Sequence, residues 1–405
     1  MIIKIQNCML NEFLNSKLIV LAGKWMLLGA LATVPQISAY GQTPAREKFP
    51  QPIADFSRYQ EQVFGYLSRR SLPQRTPGQV RLNLPFELSA EPSKPYRGKF
   101  LLIHGLNDSP FVWRDVASRL SRKGYDVRAI LLPGHGATPI DMLDVSYRQW
   151  LTVSRKHLAL WQTDDTPFYI GGFSLGGVVA TVLALENEEI KGLLLFSPAY
   201  RSRLNSYLRW SWLYAKFKPW IFGGMILEDN PTKFNSIPVN SGTQFYRTTR
   251  YLKKRWQKRR LTMPVLMVLS EDDSVVDVEY TRNIFNQRFT SYKKQLLLYS
   301  ARQNAAPKES EVIRNSQALD RRILNQSHMS LLNAPNNPLF GESRRILVCN
   351  GNEFPIFMAC MRGRKHWYGA QHTPSPDDTP VARTTYNPDF EFVMRSFEQV
   401  FESSL

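Results

Sequence analysis

Cysteine is scarce in this chain of 405 residues: Cys8, Cys349 and Cys360 are the only three. They are too few and too scattered for a disulfide framework or a four-ligand zinc site, so no structural metal is expected. Cys349 and Cys360 are spaced as if on a hairpin and could bridge; two buried thiols are the alternative. Acidic residues are also in short supply, 34 Asp and Glu against 52 Lys and Arg, a formal charge of +18. That surplus implies an anionic partner or surface without choosing between nucleic acid and membrane. No nucleic-acid-binding module, phosphate-binding glycine pattern, metal-ligand spacing or internal repeat is present, so nucleic acid is not an expected partner and no cofactor is expected. What remains is a chain with 43% hydrophobic, 21% charged and 12% aromatic residues, the composition of a globular protein. Its length suits one large domain with insertions, or two domains.

Leu18–Val34 is 17 residues long and broken by Lys24, short of the roughly 20 that a spanning helix needs. Lys17 and Lys24 lead into the apolar run Trp25–Val34, and Ile37-Ser38-Ala39 supplies small residues for cleavage after Ala39. Residues 1–39 therefore read as an export signal, with a retained membrane anchor as the alternative, and the protein is expected to be periplasmic or secreted.

Residues 40–97 are rich in Pro, Arg and Gln and read as an N-terminal extension, with a helical pattern near Ile53–Ser71 and an alternating segment at Arg81–Leu88. From Lys99 short apolar runs take over: Phe100–Ile103, Val127–Leu132, Phe168–Phe173, Gly192–Phe196, Val265–Leu269 and Gln295–Leu298. Between them lie segments of helical length, Trp113–Arg122, Tyr147–Trp161, Leu175–Asn187 and Asp277–Phe289. Buried strands joined by crossover helices make an α/β fold with a mostly parallel central sheet. Residues 98–199 and 263–405 form the two parts of that core, the second with a C-terminal extension, and residues 200–262 are inserted between them.

Gly172-Phe173-Ser174-Leu175-Gly176 is a GxSxG sequence at a strand-to-helix junction. A serine there needs small neighbours, because the backbone must turn sharply for the hydroxyl to stand clear. Ser174 is thus the candidate nucleophile. With His104-Gly105-Leu106 and Leu132-Pro133-Gly134-His135-Gly136, this sequence resembles the α/β-hydrolase superfamily, in particular its monoacylglycerol-lipase-like and serine-aminopeptidase-like esterases. The resemblance implies an α/β-hydrolase fold with a helical cap at 200–262. It also implies an oxyanion hole made by the Leu106 and Leu175 N–H groups.

The same chemistry requires an acid and a histidine after the serine, in that order. Val268–Val276 resembles the acid loop of the family, with Ser270 where a glycine is usual. That register selects Asp273, with Asp272 as its neighbouring alternative, while Asp277 reads as a helix cap. Of six histidines, His104 and His135 precede the serine in loop motifs, His157 lies mid-helix, and His366 and His372 fall in a polar tail. His328 completes the order Ser174, Asp273, His328. The spacing from Asp273 is longer than compact relatives use, and Arg302–Arg321 looks like a polar insertion. The cap is strongly basic: Tyr200–Thr262 holds fourteen Lys and Arg against Glu228 and Asp229, with Trp210, Trp212, Trp220 and Trp256 among them. A lid gripping acyl chains and an anionic membrane surface is one reading; a solvated helical cap is the other. The expected activity is ester hydrolysis of a small-molecule or lipid substrate, with an acyltransferase or a catalytically idle lipid-binding protein as alternatives.

Overall fold

The computed structural model describes residues 47–221, 230–302, 307, 309–343, 345–349, 354–362 and 365–402. The expected export signal and its cleavage point lie outside the described residues.

In chain order the first elements are helices α1 (Phe56–Arg70) and α2 (Pro77–Arg81), strands β1 (Phe86–Leu88) and β2 (Gly98–Ile103), helix α3 (Arg114–Ser121) and strand β3 (Tyr125–Ile130). Helix α4 (Tyr147–Trp161), β4 (Phe168–Phe173), α5 (Leu175–Glu186) and β5 (Ile190–Phe196) complete the first part of the core. Among the described residues of the insertion, helices α6 (Asn205–Leu208), α7 (Ser211–Tyr214) and α8 (Val239–Trp256) follow. The chain returns to the sheet with β6 (Val265–Ser270), α9 (Val278–Arg288), β7 (Lys294–Ser300) and β8 (Glu311–Asn315). It ends with α10 (Phe354–Met361), β9 (Trp367–Gly369), β10 (Val381–Arg383) and α11 (Phe390–Phe401).

The main sheet has eight strands in the order β1-β3-β2-β4-β5-β6-β7-β8, and every pairing is parallel except that of β1 with β3. Strand alternation divides the apolar residues between two faces. Leu101, Ile103, Ile170 and Leu195 meet α4, α5, α8 and α9, while Phe100, Leu102, Leu194 and Phe196 meet α3 and α11. Helix α5 is buried from Leu175 to Leu185, which explains an apolar sequence with no polar stripe. The register aligns Ile103 with Gly172 and Phe173 with Phe196, so the C-terminal ends of β2, β4 and β5 share one edge. Ligand sites of open parallel sheets form at such an edge.

Each apolar run becomes a strand, with one early stop: β3 ends at Ile130, and Leu131 and Leu132 start the turn toward Gly134. The N-terminal segment is packed onto the core, since Tyr59, Val63 and Leu67 of α1 contact Leu131, Ala137 and Val153. Buried Arg70 bonds Asp141 at 3.0 Å from Nε. Of the alternating segment Arg81–Leu88, only the last three residues pair. The polar stretch after Arg302 contains β8, an added edge strand.

Cys349 and Cys360 are joined by a disulfide. They do not lie on a hairpin: Cys349 is in a loop and Cys360 is in α10, and both are buried.

Candidate active site

Ser174 sits between β4 and α5 with φ 53° and ψ −117°, a left-handed conformation that an L-residue adopts only under constraint. Close packing supplies the constraint. The Ser174 N–H donates to Phe196 O at 3.0 Å, and the Ser174 carbonyl accepts from Ala199 N–H at 3.0 Å. A Cβ at Gly172 would lie 2.4 Å from the Gly176 carbonyl oxygen, and one at Gly176 would lie 2.0 Å from that of Ile103. These two glycines let strand and helix meet across a turn tight enough to lift the hydroxyl out.

His328 Nδ1 donates to Asp273 Oδ2 at 2.6 Å, and Asp273 is fully buried. The other carboxylate oxygen, Oδ1, accepts from the Val275 and Val276 N–H groups at 2.8 and 3.0 Å. Burial alone would push this carboxyl up, but the facing imidazole, its hydrogen bond and the two backbone donors outweigh it and hold the acid below its ordinary value. With Nδ1 committed, Nε2 is the nitrogen left to act as a base. The imidazole lies beside the elbow, its ring centroid 5.0 Å from that of Phe173.

The alternatives fall elsewhere. Asp272 Oδ2 has no partner among the described residues, and Asp277 caps α9 by accepting from Tyr280 N–H at 3.0 Å. His157 is buried against Tyr59, His366 bonds the Cys360 carbonyl, and His372 is exposed. His104 and His135 build the neighbouring turn. His104 Nδ1 donates to Gly105 O at 2.7 Å while its Nε2 accepts from Leu132 N–H at 3.1 Å. Burial lowers the pKa of both, that of His135 to about 4, so the two rings, which meet edge to face, stay neutral. They hold Leu106 beside the elbow, where a Cβ on Gly105 would come 3.1 Å from Ser174. The Leu106 and Leu175 N–H groups have no acceptor among the described residues, as an oxyanion hole requires.

Three features here carry no sequence signal of their own. Buried Asp108 pairs with Lys233 of the insertion, and the Lys233 ammonium lies 5.7 Å from the Phe173 ring centroid. Next to this pair, the Phe234 N–H donates to Asn107 O at 2.9 Å, so residues 233–234 are pinned to the turn that carries Leu106. Ser270 takes the place of the usual glycine because its hydroxyl donates to Gln326 O at 2.6 Å, tying the acid loop to the histidine loop. The C-terminal region then clamps that loop: Ser327 Oγ donates to Thr384 O at 2.6 Å, Thr384 Oγ1 to Asn325 O at 2.7 Å, and Ala370 N–H to Asn325 Oδ1 at 2.7 Å. Among the described residues no group of three or more His, Cys, Asp or Glu could hold a metal ion.

Residues 94–302 match the model of the hydrolase family described as serine aminopeptidase, S33. The chain belongs to that family. A thermostable monoacylglycerol lipase from Bacillus sp. strain H-257 is 26% identical over 99 residues, which are 24% of this chain and 40% of the lipase. The match thus spans well under two thirds of that relative. Among solved structures, a soluble variant of the Saccharomyces cerevisiae monoglyceride lipase aligns at 19% identity over 56% of this chain and 85% of its own, with a TM-score of 0.43. A monoacylglycerol lipase from Paleococcus ferrophilus aligns at 19% identity over 53% and 88%, with a TM-score of 0.44. The α/β-hydrolase fold of this S33 family member is the one that its motifs implied.

Proposed function

We propose that this S33 family member is a serine hydrolase of carboxylic esters acting through Ser174, Asp273 and His328. The observation that carries this reading is the His328–Asp273 bond beside a serine held at a strained strand-to-helix turn. His328 Nε2 takes the Ser174 proton as Oγ attacks the ester carbonyl, and Asp273 stabilises the imidazolium. The Leu106 and Leu175 N–H groups receive the oxyanion. The imidazolium protonates the departing alcohol, and the neutral histidine then activates water to release the acid.

A lipid ester at an anionic surface is the proposed substrate setting. Trp210, Trp212, Tyr214 and Phe217 of the insertion are exposed, Phe217 at 78% and Trp210 at 59%, in a stretch with no acidic residue from Tyr200 to Ile221. Large exposed rings among cations suit insertion at headgroup depth. The name of the Bacillus relative supports acylglycerols as candidates. The Cys349–Cys360 bridge supports an exported location, because disulfides persist in oxidising compartments.

The test is turnover of a p-nitrophenyl ester series of increasing acyl length by the purified protein. Activity should fall to background in both Ser174→Ala and His328→Ala, because triad members act as a unit. A His328→Ala variant keeping a third of wild-type turnover would place the base elsewhere.

A further inference from the structure

The basic residues of the insertion divide by what faces them. Arg255 of α8 and Arg155 of α4 both bond Glu186 of α5, at 2.7 and 2.9 Å, and Arg259 bonds Glu188 at 2.8 Å. Those three cations already face carboxylates, two of them sharing Glu186. On another face of α8, Arg247, Arg250 and Lys254 recur at positions i, i+3 and i+7, a spacing that sets them in one row. Arg148, in the first turn of α4, stands across from them.

These four cations line a single groove of about 450 Å³ walled by Tyr147 and Tyr251, whose ring centroids are 5.9 Å apart. No carboxylate lines it, and none of the four forms an ion pair among the described residues. Like charges at helical spacing weaken a helix, so the row does not serve the stability of α8. The end of α4 is not the donor either: Tyr147 N–H donates to Gln244 Oε1 at 3.2 Å, and Arg148 N–H to Ser146 Oγ at 3.2 Å. Binding there falls to side chains.

We infer that this groove binds a phosphate-bearing anion of two or more negative charges, at a site separate from the triad. Three guanidinium forks and an ammonium offer more donors than one carboxylate accepts, whereas phosphate oxygens take several forks at once. Exposure of the cations makes the attraction long-ranged and sensitive to salt.

Calorimetric titration of the full chain with pyrophosphate tests the site. Wild type should bind one equivalent, more weakly as salt rises. Arg247→Gln/Arg250→Gln should bind at least tenfold more weakly, with turnover of a soluble ester unchanged. Lys253→Gln/Lys258→Gln, which removes the same charge from outside the groove, should bind like wild type. A second arm measures sedimentation with phosphatidic acid vesicles. Loss in the groove variant alone identifies a lipid headgroup as the phosphate source, and unchanged sedimentation with lost pyrophosphate binding identifies a free phosphate compound. No pyrophosphate binding by wild type, or equal binding by all three proteins, overturns the assignment. Because ester turnover is read separately, failure of the groove leaves the triad reading intact.

Discussion

A single hydroxyl connects two of the three loops that meet at the active site. Ser270 is fully buried, and its bond to Gln326 O fixes the backbone two residues before His328. Ser270→Ala would leave that buried carbonyl unpaired, a cost of about 1–3 kcal/mol in stability. Loosening of the histidine loop should lower kcat about tenfold while KM stays within about twofold, since small misplacements of a catalytic group are expensive. Steady-state kinetics on a soluble ester check this, and an unchanged kcat would make Ser270 a purely local contact. At this scale legibility was uneven. Ser174, Asp273 and His328 could be read because glycine pattern, loop register and chain order each restrict the choice. Lys233 could not, being one of fourteen cations in the insertion with nothing local to distinguish it, and Asp108 gains meaning only from that partner.

Secondary structure follows burial. The six strands that were legible are covered on both faces and read as apolar runs, whereas β8, Glu-Val-Ile-Arg-Asn, lies at the sheet edge and alternates too weakly to stand out. The three residues of β1 are too few to show a period. Helices α6 and α7 are four residues each; Leu208 of α6 packs on the core, but Trp212, Leu213 and Tyr214 of α7 are exposed and are not explained by one. The basic cluster Lys253–Arg260, in contrast, is partly spent inside the molecule through Arg255 and Arg259. An interfacial role therefore rests on the rings. Trp210→Ala/Phe217→Ala should reduce co-sedimentation with anionic vesicles about tenfold or more, since each ring removes a large buried apolar area from the bound state. Turnover of a soluble ester should be retained, and undiminished vesicle binding would make this stretch an ordinary exposed surface.

Across the whole molecule, buried histidines couple stability to pH, His104, His135 and His157 most strongly. Burial lowers the pKa of His135 to about 4 and of His157 to about 3, and places that of His104 well below its ordinary 6.5. In the unfolded chain these groups take up protons near pH 6.5 while the folded protein does not, so stability falls as pH drops below about 6.5. The slope is at most about 1.4 kcal/mol per pH unit for each histidine, and each contribution ends at its folded-state pKa. Among the described residues neither ring nitrogen of His157 has a hydrogen-bond partner, and the ring lies 5.0 Å from that of Tyr59, so His157→Phe should flatten the acid limb of a urea-midpoint profile between pH 4 and 6.5. A profile identical to wild type would refute that assignment. The central claim, that the sheet edge, the turn at Ser174 and the clamped histidine loop converge to activate one serine, is tested most directly by intact-mass spectrometry after reaction with a fluorophosphonate. One adduct per chain is expected, mapped to Ser174, absent in Ser174→Ala and formed at least a hundredfold more slowly in His328→Ala. Equal labelling of Ser174→Ala, or an adduct on another serine, would contradict it.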